Sequence, residues 1–464
     1  MKCPVCKTEC SELNACPECG FTELTPTFLS ESEGNAWLEN VVWPWRREYW
    51  SSLTDFEFNG TTLVKYSGKA QNVSIPYGVQ KLGEKCLFGN CSVETVTIPS
   101  SVSVIENSAF SACFSLCEVN IPSTVTHIGE NAFSTCVELK HITIPSSLKT
   151  LSKKMLCGYA FQDLVIPEGV EAIEDRAIYS GNLRSLHIPS SVKTIGEEIT
   201  SGKNLETISV SADNPYFKVV HGCLIDTREQ KILLATAGAD IPQKAALEQI
   251  GAEVFSFRDM AEIDIPEGIT HIGRQSFAYC SEVRKIQIPQ TLADIGAGAF
   301  QSCRSLEEIH IHPNNPYYFF ESGCLIDRRT FEIIICIGKE KHLVLPECAR
   351  SIGPCAYYGF ATDGQIITIG PNVTHIGSNA FESLSNIWIT IPKTVKTIDP
   401  GAFRIAGRIF CEHKRRPKGW AEKWARTTGD HSWQVFSEVL WADSWHYENG
   451  LPVPNNNEPH LLFR

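Results

Sequence analysis

Apolar and polar residues alternate in short runs along this chain, and the runs return at a nearly constant interval. The segments VTIPSSVSVIENSAFSAC (96–113) and VNIPSTVTHIGENAFSTC (119–136) are closely similar, and Ile-Pro pairs begin at positions 98, 121 and 144, a step of 23 residues. Further pairs or close variants begin at positions 75, 166, 188, 241, 265, 288, 345 and 391, with IGP at 369–371. An internal period of this length predicts a repeat protein of about twelve turns.

Each repeat contains two short extended segments. In the segment HITIP, Ile142 and Ile144 share one strand face and His141 and Thr143 share the other, as the two-residue period of a strand requires. A proline corner, a second extended segment ending near Ile-Gly and a tight bend carrying Ala-Phe complete the unit.

A single turn of this kind cannot be stable alone. Burying about five apolar side chains contributes roughly 8 to 15 kcal/mol. Ordering the backbone of about 23 residues costs more, on the order of 23 to 46 kcal/mol. Neighbouring turns must therefore stack and share backbone hydrogen bonds, which predicts a mostly β repeat solenoid.

The repeat resembles that of the BspA-like leucine-rich repeat proteins, L-x-x-I-x-I-P-x-x-V-x-x-I-G-x-x-A-F-x-x-C. Residues 139–144 (LKHITI), the segment THIGENAF and Cys136 carry the match, which extends over about residues 71–405. The resemblance implies a right-handed leucine-rich repeat solenoid. It also implies an interaction scaffold, and most often a surface adhesin.

Two blocks interrupt the period, NPYFKVVHGCLID (214–226) and NPYYFFESGCLID (315–327), and each is followed by an apolar run. They lie 101 residues apart and predict β-hairpins inserted at equivalent points of a duplicated unit. Such hairpins either bind a ligand or add strands to the sheet, and we favour added strands.

Both ends of a solenoid need caps, because an open sheet edge invites pairing with other chains. At the amino-terminal end FEFNGTTLVKYSGKAQNVSIP (56–76), with the turn signal Asn59-Gly60, predicts an entry hairpin. Ahead of it we expect a short helix with a Ser30/Glu33 capping box and Pro44 after the apolar stripe. That stripe, formed by Trp37, Leu38, Val41 and Val42, either binds a partner helix or packs on the first repeats.

The carboxyl-terminal segments RIFCEHKRRPKGWAEKW and HSWQVFSEVLW resemble the closing segment of the same family. They carry Trp420, Trp424, Trp433 and Trp441. A basic cluster of Lys414, Arg415, Arg416 and Lys418 lies within them and predicts either a solvated cap surface or a site for an anionic ligand. The final GLPVPNNNEPHLLFR predicts a loose tail.

Charge and hydropathy narrow the class of protein. The net charge of −12 and the pI of about 5.6 mean that the average field repels a phosphate backbone, so we expect no nucleic-acid partner. No apolar run approaches the roughly 18 residues of a membrane span, and the opening MKCPVCKTEC lacks a signal-peptide core. We therefore expect a cytoplasmic protein, with the cell surface by a non-classical route as the alternative.

The segment 126–145 brings His127, Cys136 and His141 close together, residue types suited to a metal site or to an activated thiol. The aligned repeats favour a structural role, because the Phe-x2-Cys slot holds Leu384 or Ala406 in other turns and a slot that accepts these residues is apolar. The cysteines assigned to this slot are Cys91, Cys113, Cys136, Cys280 and Cys303. A cysteine-dependent enzyme remains a remote alternative, since we find no cysteine outside the slot with a matched base.

The amino-terminal cysteines have a different pattern, with the pairs Cys3-x2-Cys6 and Cys16-x2-Cys19. Two such chelating pairs resemble a short zinc ribbon with four thiolate ligands, which would hold a structural zinc and leave no position for substrate water. Cys10 is a spare thiol or an alternative ligand. Disulfides or an eroded site are the other interpretations.

The expected organisation follows from these segments. We expect a zinc ribbon at 1–22, a helical linker at 23–54, a solenoid at 55–405, a cap at 406–445 and a tail at 446–464.

The outward face of the first strand in each repeat is the predicted site for a protein or peptide partner. The candidate contacts are Glu118, His141, Glu262, Asp264, Lys285, Glu308, His310 and Trp388. The acidic residues among them favour a cationic ligand, and Trp388 is expected to point outward with no core to pack against. A solvated sheet face is the alternative interpretation. We therefore expect a non-enzymatic binding scaffold, with a cell-surface adhesin as the alternative.

The zinc hypothesis predicts that the purified protein carries about one zinc ion, because four thiolates close its coordination sphere. Elemental analysis should find zinc in the wild type and little in Cys16→Ser. If both proteins are free of metal under reducing conditions, the zinc-ribbon interpretation is wrong.

Overall fold

The computed structural model describes residues 41–158, 162–200, 202–243, 246–425 and 437–455. The chain is a mostly β solenoid of about 15 turns, somewhat more than the number of Ile-Pro pairs suggests. Turns such as that of Thr207–Val210 lack the pair, and counting the pair therefore misses them. The chain forms two compact units, Met1–Leu224 with Thr236–Gly238, and Ile225–Ala235 with Ala239–Arg464.

The described part of the first unit contains one α-helix, one short 3-10 helix and a series of short strands. They are α1 (Trp43–Ser52), β1 (Phe56–Asn59), β2 (Thr62–Tyr66), β3 (Asn72–Ser74), β4 (Lys81–Leu82), β5 (Thr95–Thr97), β6 (Val104–Ile105), β7 (Glu118–Asn120), β8 (His127–Ile128), β9 (His141–Ile142), β10 (Thr150–Leu151), β11 (Asp163–Val165), β12 (Ala172–Ile173), β13 (Ser185–Ile188), β14 (Thr194–Ile195), the 3-10 helix Gly202–Asn204, β15 (Thr207–Val210) and β16 (Phe217–Val220). The strand β17 (Cys223–Asp226) contains the boundary between the units.

The described part of the second unit consists of strands and turns. They are β18 (Lys231–Ala235), β19 (Gln249–Ile250), β20 (Glu262–Asp264), β21 (His271–Ile272), β22 (Lys285–Ile288), β23 (Asp294–Ile295), β24 (Glu308–Ile311), β25 (Tyr318–Glu321), β26 (Cys324–Asp327), β27 (Glu332–Cys336), β28 (His342–Val344), β29 (Ser351–Ile352), β30 (Ile366–Thr368), β31 (His375–Ile376), β32 (Phe381–Ile391), β33 (Thr397–Ile398), β34 (Phe403–Cys411), β35 (Ser437–Leu440), β36 (Trp445–Glu448) and β37 (Leu451–Pro454).

A regular turn contributes one short strand to each of two sides, and equivalent strands of successive turns pair in parallel within several sheets. On the first side, the strand before the proline corner pairs with its equivalent in the next turn, as β3, β5, β7 and β9 do. On the second side, the short strand ending near Ile-Gly does the same, as β4, β6 and β8 do. The pairing is in register, with Val96 opposite Val119 and Ile105 opposite Ile128. Inward residues of successive turns therefore stack into buried columns, as the alternation predicts.

A third side is formed by stacked turns that carry the Ala-Phe pair. Asn131 and Thr135 flank this pair with φ values of 56° and 61°, and Ser108 and Ala112 do so one turn earlier with 57° and 60°. This left-handed conformation is unfavourable for residues other than glycine. Hydrogen bonds between turns hold it in place, for example from Ser108 N–H to the Glu130 carbonyl at 2.9 Å.

The phenylalanines of the third side fill the interior. Phe110 and Phe133 are fully buried, and their rings stack at 5.0 Å between centroids. Phe255, Phe277 and Phe300 continue the same arrangement in the second unit, with stacked centroids at 5.4 and 5.7 Å.

The entry hairpin is confirmed. Strands β1 and β2 are antiparallel around Gly60, which has a φ of +60°, and β2 pairs in parallel with β4 to open the second side. Pro44 lies in the first turn of α1, a position where its missing N–H costs nothing. Trp50 of α1 stacks on Phe58 at 4.7 Å. The capping-box residues and most of the apolar stripe lie outside the described residues.

The second interrupting block forms a three-stranded meander that extends the sheet. Strands β25, β26 and β27 are successively antiparallel, and β27 then pairs in parallel with β29 on the second side. Added strands were the favoured interpretation, and they are confirmed for this block.

A buried asparagine fixes the start of each interrupting block. The Asn315 amide donates to the carbonyls of Pro289 (2.7 Å) and Leu292 (3.1 Å), and its oxygen accepts the N–H groups of Tyr317 (2.8 Å) and Tyr318 (3.0 Å). The equivalent residue of the first block makes the same set of bonds. This residue is Asn214. Its amide donates to the Pro189 and Val192 carbonyls, and its oxygen accepts the N–H groups of Tyr216 and Phe217.

The carboxyl-terminal aromatic residues pack together at the end of the second unit. Trp420 lies 4.8 Å from Trp424 and 6.1 Å from Trp441 between ring centroids, and Trp424 contacts Phe403. Trp433 lies outside the described residues.

The expectation of a loose tail after residue 445 is wrong for its first part. Strands β36 and β37 form an antiparallel hairpin whose turn residues Asn449 and Gly450 both have positive φ. Asn-Gly is the strongest short hairpin signal and was present in the sequence. The ring of Trp445 anchors the hairpin through a bond from its Nε1 to the Cys411 carbonyl at 3.1 Å.

The four hydrogen bonds of the Asn315 side chain predict a large loss of stability in Asn315→Ala. The substitution leaves two buried carbonyls and two N–H groups without their partner, which should lower the free energy of unfolding by about 2 to 4 kcal/mol. Asn314 is exposed, so Asn314→Ala is the matched control and should change stability little. Urea unfolding followed by circular dichroism measures the stability of both variants. Equal unfolding midpoints for the two variants would contradict a stabilising role for the Asn315 bonds.

Candidate partner-binding face

The outward residues of the first-side strands form regular columns. In the second unit, β20, β22 and β24 are neighbours and bring Glu262, Lys285 and Glu308 into one column. Asp264 and His310 belong to the next column, on either side of Gln287. The structure therefore places five of the predicted contact residues on one three-stranded patch, which we call the charged patch.

The charged patch is partly self-neutralised. The Lys285 ammonium lies 3.1 Å from a Glu262 carboxylate oxygen, and the Gln287 amide donates to the same oxygen at 2.6 Å. Hydrogen bonding to Lys285 lowers the pKa of Glu262, so this carboxyl stays ionised. Glu308 lies 3.0 Å from His310 Nε2. Three carboxylates thus face one lysine and one histidine, and the patch keeps a negative balance. Gln287, which the alternation also places on this face, is part of the charged patch.

In the first unit, Glu118 pairs with His141 across β7 and β9. Glu118 is exposed and stands opposite Thr95 of β5, so it lies within a polar column. The side chain of His141 lies outside the described part of the chain.

Trp388 is not the free outward aromatic residue that the alternation predicts. Its ring is half-buried, lies 5.6 Å from the Phe410 ring, and is covered by the Arg408 guanidinium at 5.5 Å. Arg408 in turn bonds Glu438 at 2.7 Å. The neighbouring Thr390, also predicted outward, is 2% exposed. The expectation failed because β34 and β35 add two further strands beside β32, and neither strand carries an Ile-Pro pair.

Two outward apolar residues were missed by the sequence analysis. Val165 on β11 is 76% exposed and Val344 on β28 is 56% exposed. The alternation would have found both, because each follows a buried leucine and precedes the proline-corner residue.

The cysteine slot is confirmed as an internal packing position in four turns. Cys113, Cys136, Cys280 and Cys303 are fully buried. The Cys136 thiol donates to the Phe110 carbonyl of the preceding turn at 3.1 Å. Burial raises the pKa of Cys136 to about 12, which is the opposite of the activation that a nucleophilic thiol needs.

Cys91 was assigned to this slot wrongly. Phe88 is 54% exposed and Cys91 is exposed, whereas Leu87 is buried where other turns have phenylalanine. The slot itself holds Asn90, whose amide donates to the Gly68 carbonyl at 3.0 Å. Aligning on Phe88 shifted this turn by one residue.

The predicted zinc ligands Cys3, Cys6, Cys16 and Cys19 lie outside the described residues. Within the residues that are described, no group of three or more histidine, cysteine or acidic side chains is arranged to hold a metal ion. No helix in the same residues is long and apolar enough to cross a membrane.

The buried slot predicts that Cys136→Ala lowers the free energy of unfolding by roughly 1 to 3 kcal/mol, as a modest core truncation. Cys91→Ala is the control, because the same substitution at an exposed thiol should leave stability unchanged. Chemical unfolding of both variants tests this. A stable Cys136→Ala protein that had lost a chemical activity would instead point to a catalytic thiol.

Comparison with known proteins identifies the family of the repeat. A family model described as the BspA type leucine rich repeat region matches residues 56–180, 154–218, 248–338 and 325–409, and a search of curated proteins finds no match. A leucine rich cell surface protein from Faecalibacterium prausnitzii is similar in structure, with 23% identity, a TM-score of 0.45, and coverage of 78% of this chain and 93% of that one. A leucine-rich repeat protein from Eubacterium ventriosum is similar as well, with 18% identity, a TM-score of 0.42, and coverage of 89% of this chain and 90% of that one. A leucine-rich repeat protein from Bacteroides ovatus has 19% identity, a TM-score of 0.39, and coverage of 83% of this chain and 97% of that one. The repeat match over both units shows that the chain belongs to the BspA-type leucine-rich repeat family.

Proposed function

We propose that this protein is a binding scaffold whose first-side face holds a protein or peptide partner. The charged patch is the observation that carries the proposal. Its side chains project from three rigid, hydrogen-bonded strands, so they are held in place before a partner arrives. Preorganised side chains lose little conformational entropy on binding.

The charge of the patch favours a partner segment rich in lysine or arginine. Asp264 makes no ion pair among the described residues, and the ion pair of Glu308 is with His310. A cationic side chain could therefore pair with either carboxylate without displacing the Glu262–Lys285 contact. Glu118 would offer a further carboxylate in the first unit.

Trp388 has a reduced role in this proposal. A half-buried ring held by Phe410 and Arg408 supports the face and leaves part of its surface for contact. We retain the structural zinc ribbon as a separate proposal, since a closed four-thiolate site would stabilise a small module without needing a substrate.

The charged patch predicts that the double variant Glu262→Lys with Glu308→Lys loses its partner. Affinity capture from the native cell with the wild type supplies the partner, and calorimetry then compares the variants. We expect affinity to fall at least about tenfold, because the substitution at Glu308 makes an attractive contact repulsive and the substitution at Glu262 adds a second positive charge beside it.

The control is Glu84→Lys with Glu130→Lys, which reverses two exposed charges outside the first-side strands. This control should bind like the wild type. Equal affinity of the patch variant and the wild type, with circular dichroism unchanged, would remove the site from this face.

A further inference from the structure

The segment His413–Gly419 carries four cations, Lys414, Arg415, Arg416 and Lys418, and all four side chains are exposed. It links the end of β34 to Trp420, and we call it the basic loop. The sequence alone left two interpretations open, a solvated cap surface and a site for an anion.

Elsewhere in the solenoid, many cations are neutralised by a carboxylate of a neighbouring turn. Lys81 pairs with Glu106, and Lys193 lies 2.7 Å from Glu171. Lys149 contacts the same Glu171 at 3.4 Å. The stacking of turns makes this easy, because equivalent positions on adjacent strands are about 4.8 Å apart.

The basic loop differs, because most of its cations lack such a carboxylate partner. Lys414 lies 3.4 Å from Asp443, but Arg415, Arg416 and Lys418 have no carboxylate partner among the described residues. Three adjacent cations without compensation repel one another, and this repulsion is relieved only by water, salt or a bound anion.

The backbone of the basic loop is fixed although its side chains are exposed. Trp420, which closes the loop, is buried, and its Nε1 donates to the Val395 carbonyl at 3.3 Å. Its backbone N–H donates to the Pro417 carbonyl at 3.2 Å. The His413 ring contacts the Trp420 ring at 5.3 Å and thereby holds the start of the loop. The cations therefore project from a preorganised loop.

We propose that the basic loop is a binding site for two or more closely spaced phosphate groups. Guanidinium groups bind phosphate oxygens in pairs, and lysine adds a point charge. The net charge of −12 on the whole chain disfavours a long polyanion, which would meet the acidic surface, but does not disfavour a small one. The phosphate groups could belong to a soluble oligophosphate or to lipid headgroups.

Two probes test the proposal and separate these sources. Calorimetry with tripolyphosphate reports the soluble anion. Co-sedimentation with phosphatidylcholine vesicles containing about one-third phosphatidylglycerol reports the lipid headgroup. Binding should weaken as sodium chloride rises from about 0.05 to about 0.3 M, since exposed charges are screened.

The test variant is Arg415→Gln with Arg416→Gln and Lys418→Gln, and the control is Lys81→Gln with Lys149→Gln and Lys193→Gln. Both remove three positive charges, but only the first removes cations that have no carboxylate partner among the described residues; Arg416 donates only to the Ala421 carbonyl, at 3.4 Å. We expect at least about tenfold weaker binding in the loop variant and little change in the control. Binding to one probe alone assigns the source of the phosphate groups. No wild-type binding to either probe, or equal loss in both variants, would overturn the proposal. None of these residues belongs to the first-side face, so the result is independent of the partner proposed above.

Discussion

Backbone hydrogen bonds between successive turns are the interaction on which this structure depends. Most strands have only two to four residues, and few of their donors and acceptors could be satisfied within one turn. The turns approach one another closely at the Ile-Gly position. Gly129 N–H donates to the Ile105 carbonyl at 2.8 Å. A Cβ at this glycine would lie 2.6 Å from the backbone nitrogen of Asn107. The equivalent residues Glu106 and Glu174 donate the same bond at 2.9 Å, so other turns accommodate a side chain at this position.

The parts of the fold that follow a two-residue alternation were predictable from sequence. Alternation assigned the inward isoleucines and the outward charged residues, and parallel stacking then brought Glu262, Lys285 and Glu308 together. The third side was not predictable in the same way. Residues such as Thr135 adopt a left-handed conformation that their own propensity disfavours, because bonds to the next turn compensate.

The errors have two physical origins. Cys91 was misplaced because an exposed phenylalanine precedes it, and residue type alone does not show which of two adjacent apolar residues is buried. Trp388 was misjudged because β34 and β35 extend the sheet without the Ile-Pro signal, so its neighbours could not be located from the repeat. Periodicity identifies positions within a turn, whereas contacts at the end of the stack depend on segments outside the period.

The asparagine that begins each interrupting block keeps neighbouring turns bonded where the period is interrupted. In regular turns, a hydroxyl of the next turn bonds the carbonyl that follows the proline corner, as Thr124 does with Val102 at 2.8 Å. Asn214 and Asn315 give their amides to the equivalent carbonyls of Val192 and Leu292. The asparagine amide therefore makes the bond that a serine or threonine hydroxyl makes in a regular turn. An interrupting block can therefore follow such a turn without loss of the hydrogen bond to the turn before it.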